Sequence, residues 1–501
     1  MYFYAAVRYC VLFICVIGLT GCGGSSSTES DLTAPSQPSN LVARSVNNTS
    51  ITISWSASSD NIAVTSYRIF RDSTEIATTT STSYQDQGLS ANTQYQYTIE
   101  AYDAAGNKSS PSGALNTSTS RLPLITKSDL EYIGGFRIPN ATYGVSRAGY
   151  SEGKIALGAN GNTIFLVGHA QDQAIAEFSI PALVNSTDIT TFNIATNVQP
   201  FSLVLNRAPS GNTQGMDRIG GMALIAGSLA INAYEYYDAP ADDTDTTMVL
   251  HGPNNLSGSS AAGFDGYDAR AHAAGWISPI PPEWQATLKG SYITGDSSGK
   301  AIISRLSVGP SAFAFYPENT ITSPHSPTTP LITTMLFDYS LGHPLGHPSG
   351  YDEDYLRNTF LTNNLWTHLS KAAYGFIAPS TQSYFVIGKS GGHKGGIGYK
   401  TIQDNGNQCG GFCSNQAADN YGYYWIFNLA DLSRVASGEL QAYEIMPYEY
   451  GKFEVPINDT GLKEIIGGTY DSTKQILYLV INVKQGMEPV PVIIAYKVKT
   501  F

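Results

Sequence analysis

Eight histidines supply the chain's plainest proton-transfer groups: His169, His251, His272, His325, His343, His347, His368 and His393. Imidazole titrates near neutrality and serves as acid or base. Two histidines stand out by context. His251 closes the apolar run Met248-Val249-Leu250 and enters a Gly/Asn/Ser loop, and His272 lies in Asp268-Ala269-Arg270-Ala271-His272 in the loop region that follows. Downstream, Tyr339 ends Phe337-Asp338-Tyr339 at another predicted strand end, and Arg357 closes Asp354-Tyr355-Leu356-Arg357. A phenol works as base or acid when neighbouring cations lower its pKa. A guanidinium holds a carboxylate or sulfate through paired hydrogen bonds. Together these types suit proton transfer beside a bound anion. Each can equally anchor a loop or cap a strand, and Arg270 is a competing cation. His169, in Val167-Gly168-His169-Ala170-Gln171, follows an apolar strand and precedes a polar turn. Ligand contact, catalysis and loop anchoring all stay open for it.

A second set could hold metal. Cys409 and Cys413 flank Gly410-Gly411-Phe412, and His393 lies upstream in Gly391-Gly392-His393-Lys394-Gly395. Structural zinc takes four Cys/His ligands in a tetrahedron. His393, Cys409 and Cys413 supply three, with His343, His347 or His325 as a distant fourth. A local disulfide is the equal rival, and either would pin a long loop apart from the bond-breaking step.

The remaining cysteines lie near the start. Arg8, the apolar run Val11–Ile17 and then Leu19-Thr20-Gly21-Cys22 read as a signal peptide (residues 1–21) ending in a lipobox. The apolar stretch is short for a membrane span. Cleavage before Cys22 and acylation of that residue are expected, which would anchor the protein to a membrane. An ordinary secretory signal with a chance cysteine is the rival. Gly23 follows, with no aspartate to suggest inner-membrane retention, so an outer-membrane lipoprotein is expected.

Composition agrees with export. Charged residues are only 14%, while Gly (49) and Tyr (32) are plentiful, the balance of a turn-rich all-β protein. The net charge is −12 with no Lys/Arg-rich run, which argues against a nucleic-acid partner. An acidic protein can still bind an acidic polymer through a local cationic cleft. No phosphate-cradling glycine loop and no His-Glu-x-x-His motif occurs.

Residues 22–32 form a polar, flexible tether. Residues 33–120 carry short alternating runs, Ile51-Thr52-Ile53-Ser54-Trp55, Ser66–Arg71 and Tyr95–Ile99, with a turn at Asp103–Asn107, which predict a β-sandwich. With Trp55, Tyr67, Leu89, Tyr95, Tyr97 and Tyr102 in place, the segment resembles a fibronectin type III module. Such a module implies a spacer or weak binder.

From 122 to 501, strand-like runs recur and phrases echo. Ile219-Gly220-Gly221-Met222 and Ile466-Gly467-Gly468 match, as do the turn-plus-strand units Gly161–Val167 and Lys474–Val480. Imperfect β-rich repetition predicts a β-propeller, and about forty to fifty-five residues per unit predicts seven or eight blades. A parallel β-helix fits less well, since no short repeat is present. Pro281-Pro282-Glu283-Trp284 predicts one short helix. Tyr234, Tyr236 and Tyr237, like Trp284, are placed either to pack between blades or to offer a sugar-stacking face.

Glu131–Arg137, Phe165–His169, Gly309–Phe313 and Gly467–Asp471 are similar to phrases in a family of secreted bacterial propellers. The architecture also resembles the propeller-type ulvan lyases, which cleave a sulfated, uronate-containing polymer by β-elimination. That resemblance implies active-site histidines, a tyrosine and an arginine, and here it points by order and rough spacing to His251 and Tyr339 as acid and base. It makes His272 and Arg357 the groups that neutralise a uronate carboxylate or grip a sulfate, with His169 a further substrate contact. The chemistry needs a base for the proton at C5, a group to hold the carboxylate as charge builds, and an acid for the leaving oxygen. No cofactor is required for that step. The expected partner is an anionic polysaccharide. The alternatives are a non-catalytic glycan-binding or adhesion lipoprotein, or a glycoside hydrolase with two carboxylates across a cleft.

Overall fold

Alternation of apolar and polar residues builds the first part of the chain. In the computed structural model, which describes residues 30–238, 242–297, 307–317, 329–347, 350, 352–458, 464–485 and 488–499, the chain divides into two compact units, Met1–Ser120 and Arg121–Phe501. The expected signal peptide, the expected lipidation residue Cys22, most of the expected tether, and His325 lie outside the described residues. Strands make up 45% of the structure and helices 10%, so the all-β expectation holds at that level. Among the described residues no helix is long and apolar enough to cross a membrane.

The first unit holds β1 (Ser39–Val46), β2 (Ser50–Ser56), β3 (Val64–Arg71), β4 (Thr74–Thr79), β5 (Ser83–Gln87), β6 (Gln94–Asp103) and β7 (Leu115–Ser118). They pair as two antiparallel sheets, β1-β2-β5 and β4-β3-β6-β7. Ile51, Ile53 and Trp55 of one sheet meet Tyr67, Ile69, Tyr97 and Ile99 of the other in a closed core. Every second residue points inward because side chains alternate across a strand. The Tyr97 hydroxyl donates to Asp86 at 2.7 Å and Arg71 pairs with the same carboxylate at 3.0 Å, so the buried Asp86 carboxylate is satisfied.

The second unit starts with β8 (Leu130–Arg137) and a small hairpin, β9 (Thr142–Tyr143) and β10 (Ser146–Arg147). Five four-stranded antiparallel sheets follow. The first is β11 (Ile155–Leu157), β12 (Thr163–Val167), β13 (Ile175–Ser179) and β14 (Asn197–Ser202). The second is β15 (Arg218–Ile225), β16 (Ser228–Tyr234), β17 (Thr247–His251) and β18 (Ser260–Asp265). The third is β19 (Trp276–Pro279), β20 (Tyr292–Ser297), β21 (Pro310–Phe315) and β22 (Thr334–Phe337), with α1 (Pro282–Leu288) at the site of the expected helix. In the fourth, β23 (Lys371–Ile377) and β24 (Ser383–Gly391) are followed by a hairpin of β25 (Ile397–Tyr399) and β26 (Phe412–Ser414), then β27 (Asn420–Asn428) and β28 (Glu449–Lys452). Helix α2 (Glu353–Arg357) precedes this sheet, and α3 (Leu429–Ser437) joins β27 to β28. The fifth joins β29 (Ile465–Asp471), β30 (Ile476–Gln485) and β31 (Glu488–Val498) to β8, with Ile493 opposite Phe136.

The first strands touch in sequence: β11 meets β15, β15 meets β19, β19 meets β23, β23 meets β29, and β29 meets β11 again. The echoed Gly-Gly phrases have their reason here. A Cβ on Gly221 would collide with the Gly275 carbonyl of the next sheet, and one on Gly467 with the Gly153 carbonyl. Only glycine admits so close a backbone approach. Five such sheets are present among the described residues, where the spacing predicts seven or eight units. Long connections account for the difference: residues 338–370 lead into β23, and residues 392–419 hold the β25–β26 hairpin. Every named strand pair is antiparallel, which excludes a parallel β-helix for the described residues.

Candidate functional site

The starts of the five first strands converge on one cavity of about 220 Å³. Glu152 and Lys154 enter from just before β11, Tyr234 from the end of β16, and Trp276 and Asp296 from the third sheet. Lys371 and Lys389 come from β23 and β24, and Asn482 from β30. A cavity shared by every sheet can only be built by closing the cycle, so no local stretch of sequence contains it.

Lys371 is the unusual group. Its side chain is exposed to the solvent of the cavity, which is partly open. Desolvation and the like charge of Lys389 push its pKa below the ordinary lysine value, against the opposing pull of Glu152, Asp296 and Glu464. Lys389 is neutralised by Glu464 at 2.6 Å. The Lys371 ammonium has no hydrogen bond or ion pair among the described residues. Tyr234 is buried. Desolvation, then Glu152 and Asp296, push its phenol well above 10, so it keeps its proton.

The histidines fare unequally. His272 precedes β19, and Asp338 follows β22, so both sit at the cavity end of the third sheet. Their side chains meet at 2.8 Å. Burial disfavours the imidazolium, but Asp338 and then Asp296 outweigh it and hold the His272 pKa above its ordinary value. His169 lies beside the same end, bridged through its backbone to the cavity residue Ser151, with its ring against Tyr150 at 5.5 Å.

The other expected residues do not come together. Tyr339 is 0% exposed, donates to the Ile445 carbonyl at 2.7 Å, and packs on Phe337. Burial and then Asp338 push its phenol well above 10. It belongs to the core and reaches no ligand. His251 ends β17 at the far end of the second sheet. It bonds Ser228 at 3.0 Å, the first residue of β16, whose last residue Tyr234 lines the cavity. Arg357 is tied to Glu353 at 2.7 Å and lies over the Phe412 ring at 5.4 Å, outside the cavity lining. The expected quartet of His251, His272, Tyr339 and Arg357 therefore does not share a cleft. His251→Ala is expected to leave any activity of the cavity unchanged and to cost at most about 1 kcal/mol of stability through the lost Ser228 bond. Parallel activity and urea-unfolding measurements check it.

Cys409 and Cys413 form a disulfide, with Cα atoms 6.4 Å apart. Oxidised sulfurs are not thiolate ligands, so the zinc reading gives way to the disulfide. His393 is turned elsewhere, its Nε2 on Ser390 at 2.7 Å and its Nδ1 on the Asn363 carbonyl at 3.1 Å. Burial lowers its pKa. His343 stacks on Tyr443 at 3.8 Å. Two carboxylate groups could take a cation instead. Asp31, Asp60 and Asp103 lie together, as do Glu235, Asp238 and Asp243, each set with oxygens within 4.8 Å. In the second, desolvation and the neighbouring carboxylates raise Asp243 to about 7.

Lys371, before Ala372-Ala373-Tyr374-Gly375, and Lys154, before Ile155, were legible only as residues opening first strands, while Lys389 and Asp296 come from second strands. Histidine-centred reasoning passes over them.

With the two-sheet sandwich established, its family can be stated. Residues 36–118 are a fibronectin type III domain. Relatives match over this region. A segment of 97 residues is 48% identical to Exoglucanase B of Cellulomonas fimi, covering 19% of this chain and 9% of that protein. Alpha-amylase of Niallia circulans is 51% identical over 89 residues, 18% of this chain and 7% of that protein. Chitinase Chi52 of Paenibacillus xylanexedens is 40% identical over 100 residues, 20% of this chain and 19% of that protein. The chain thus spans less than a fifth of the length of each.

Proposed function

We propose that residues 121–501 form a five-bladed β-propeller that acts at its hub on an anionic polysaccharide, cleaving it by β-elimination at a uronate. The fibronectin type III domain supports the broad class, since the relatives it matches are named as glycan-degrading enzymes. The observation that carries the specific reading is Lys371, which lines the cavity with no hydrogen bond or ion pair among the described residues and whose pKa desolvation and Lys389 lower. Burial and an adjacent cation are what turn a lysine into a base near neutrality.

In this reading the neutral Lys371 amine takes the proton from C5 of the uronate. The released electron pair forms the C4–C5 double bond, and the C4–O bond breaks. The leaving oxygen takes its proton from Tyr234. Lys154 and Lys389 hold the carboxylate as its charge grows. His272, oriented by Asp338, and His169 contact neighbouring sugar groups at the rim. The propeller is exported and lipid-anchored through Cys22, with the fibronectin type III domain as spacer.

One observation favours a second reading. Glu152 and Asp296 line the same cavity, and paired carboxylates hydrolyse glycosidic bonds. Incubating the mature protein with ulvan and polygalacturonate separates the readings. New ultraviolet absorbance from unsaturated ends supports elimination. New reducing ends without it mean hydrolysis, and retention on the polymer with neither means a binder.

A further inference from the structure

A second, larger hollow lies beside the hub. It has a volume of about 1290 Å³ and is walled by the fourth and fifth sheets and by the disulfide-bearing loop between β24 and β27. Two residues, Ile466 and Asn482, line both spaces. Glu464 joins them as well. One of its oxygens binds Lys389 of the hub at 2.6 Å, and the other accepts from Asn420 of the hollow at 2.6 Å. The two spaces therefore lie side by side, with Ile466 and Asn482 on the wall of each.

The lining has the chemistry of a polyhydroxylated, acidic chain. Asn420 and Asn482 stand on its wall, their amide nitrogens held by Glu464 and by the Ser151 carbonyl. Lys452 and Lys484 supply cations on the same lining; Lys452 also meets Glu454 at 3.7 Å and stands over the Tyr421 ring, 5.2 Å from its centre.

We propose that this hollow is an outer subsite that holds the same polymer chain as it leaves the hub. The inference rests on the hub being a polysaccharide site. It adds that the protein grips several consecutive residues and works inside chains rather than at single end sugars. The groups that would hold them are the Tyr421 side chain, and Lys452 with Lys484 for carboxylate or sulfate.

The test uses the full protein with Lys452→Ala and Lys484→Ala combined, and separately Tyr421→Ala. The two lysines carry no part of the core, so the double variant is expected to fold. On ulvan, the double variant should raise KM about tenfold, the loss expected for charged hydrogen bonds. On an ulvan disaccharide, which fills the hub alone, KM and kcat should stay unchanged. Equal losses on both substrates, or none on either, overturn the outer subsite. If no polymer is cleaved at all, the elimination reading fails by itself. The subsite is then read from retention on an ulvan column, where weaker retention of the double variant supports it and unchanged retention overturns it.

Discussion

If the protein cleaves by elimination as proposed, Lys371→Met is expected to lower polymer cleavage roughly a hundred- to ten-thousandfold, the range set by removing a general base. Lys371→Arg is expected to lose as much, because guanidinium keeps the charge but does not give up its proton near neutrality. Activity of Lys371→Arg near that of the parent would defeat the base assignment and leave the lysine as an anion clamp. The pH profile carries a second signature. The neutral amine is the base, so the rate rises with pH, and the lowered pKa moves that rise toward neutrality from the ordinary lysine range. Stability should move with pH in the same direction as activity. A depressed folded-state pKa means the folded protein releases this proton more readily than the unfolded chain. The lysine costs no stability above its unfolded pKa, and the cost builds as pH falls from the unfolded toward the folded pKa and is full below the folded one. At neutral pH, Lys371→Met should therefore melt at the same or a higher temperature than the parent. A destabilised variant would mark the lysine as structural.

Tyr339 should behave in the reverse manner. Tyr339→Phe leaves the Ile445 carbonyl unpaired in the core, a cost of about 1–3 kcal/mol. Tyr339→Ala opens a cavity among Phe337 and its neighbours and should cost about 3–5 kcal/mol. Cleavage by Tyr339→Phe, assayed below its melting point, should match the parent. Urea unfolding followed by tryptophan fluorescence gives the first two values, since Trp366 and Trp425 lie in the same core. A Tyr339→Phe protein of full stability but no activity would return this residue to the chemistry.

The contrast between these residues shows what spacing conveys. Both Tyr339 and His251 stand at strand ends, where a sequence reading looks for ligand contacts. A strand has two ends, however, and a side chain two choices of face. Sequence places His251 at an end without saying which. The pairing of β16 with β17 puts it at the end opposite Tyr234. Tyr339 faces inward because residues 338–370 fold over it, a long-range event with no local signal. His169 lies at the cavity end just after the strand expected at 163–168, whereas His272 lies there before β19, a strand the sequence reading did not place.

The chain by itself determined the two-part organisation, the alternation that makes residues 36–118 a fibronectin type III domain, the β-rich repetition after it, and the glycine pairs at the close approaches. These are matters of period and of local backbone freedom, which neighbouring residues decide. Only the tertiary structure decided the number of sheets, the choice of disulfide over metal ligation at Cys409 and Cys413, and the gathering of Glu152, Asp296, Lys371 and Lys389 around one cavity. Lys371 and Lys389 face each other on paired strands, but Glu152 and Asp296 come from other sheets. Closing a cycle of five first strands brings all four around one cavity.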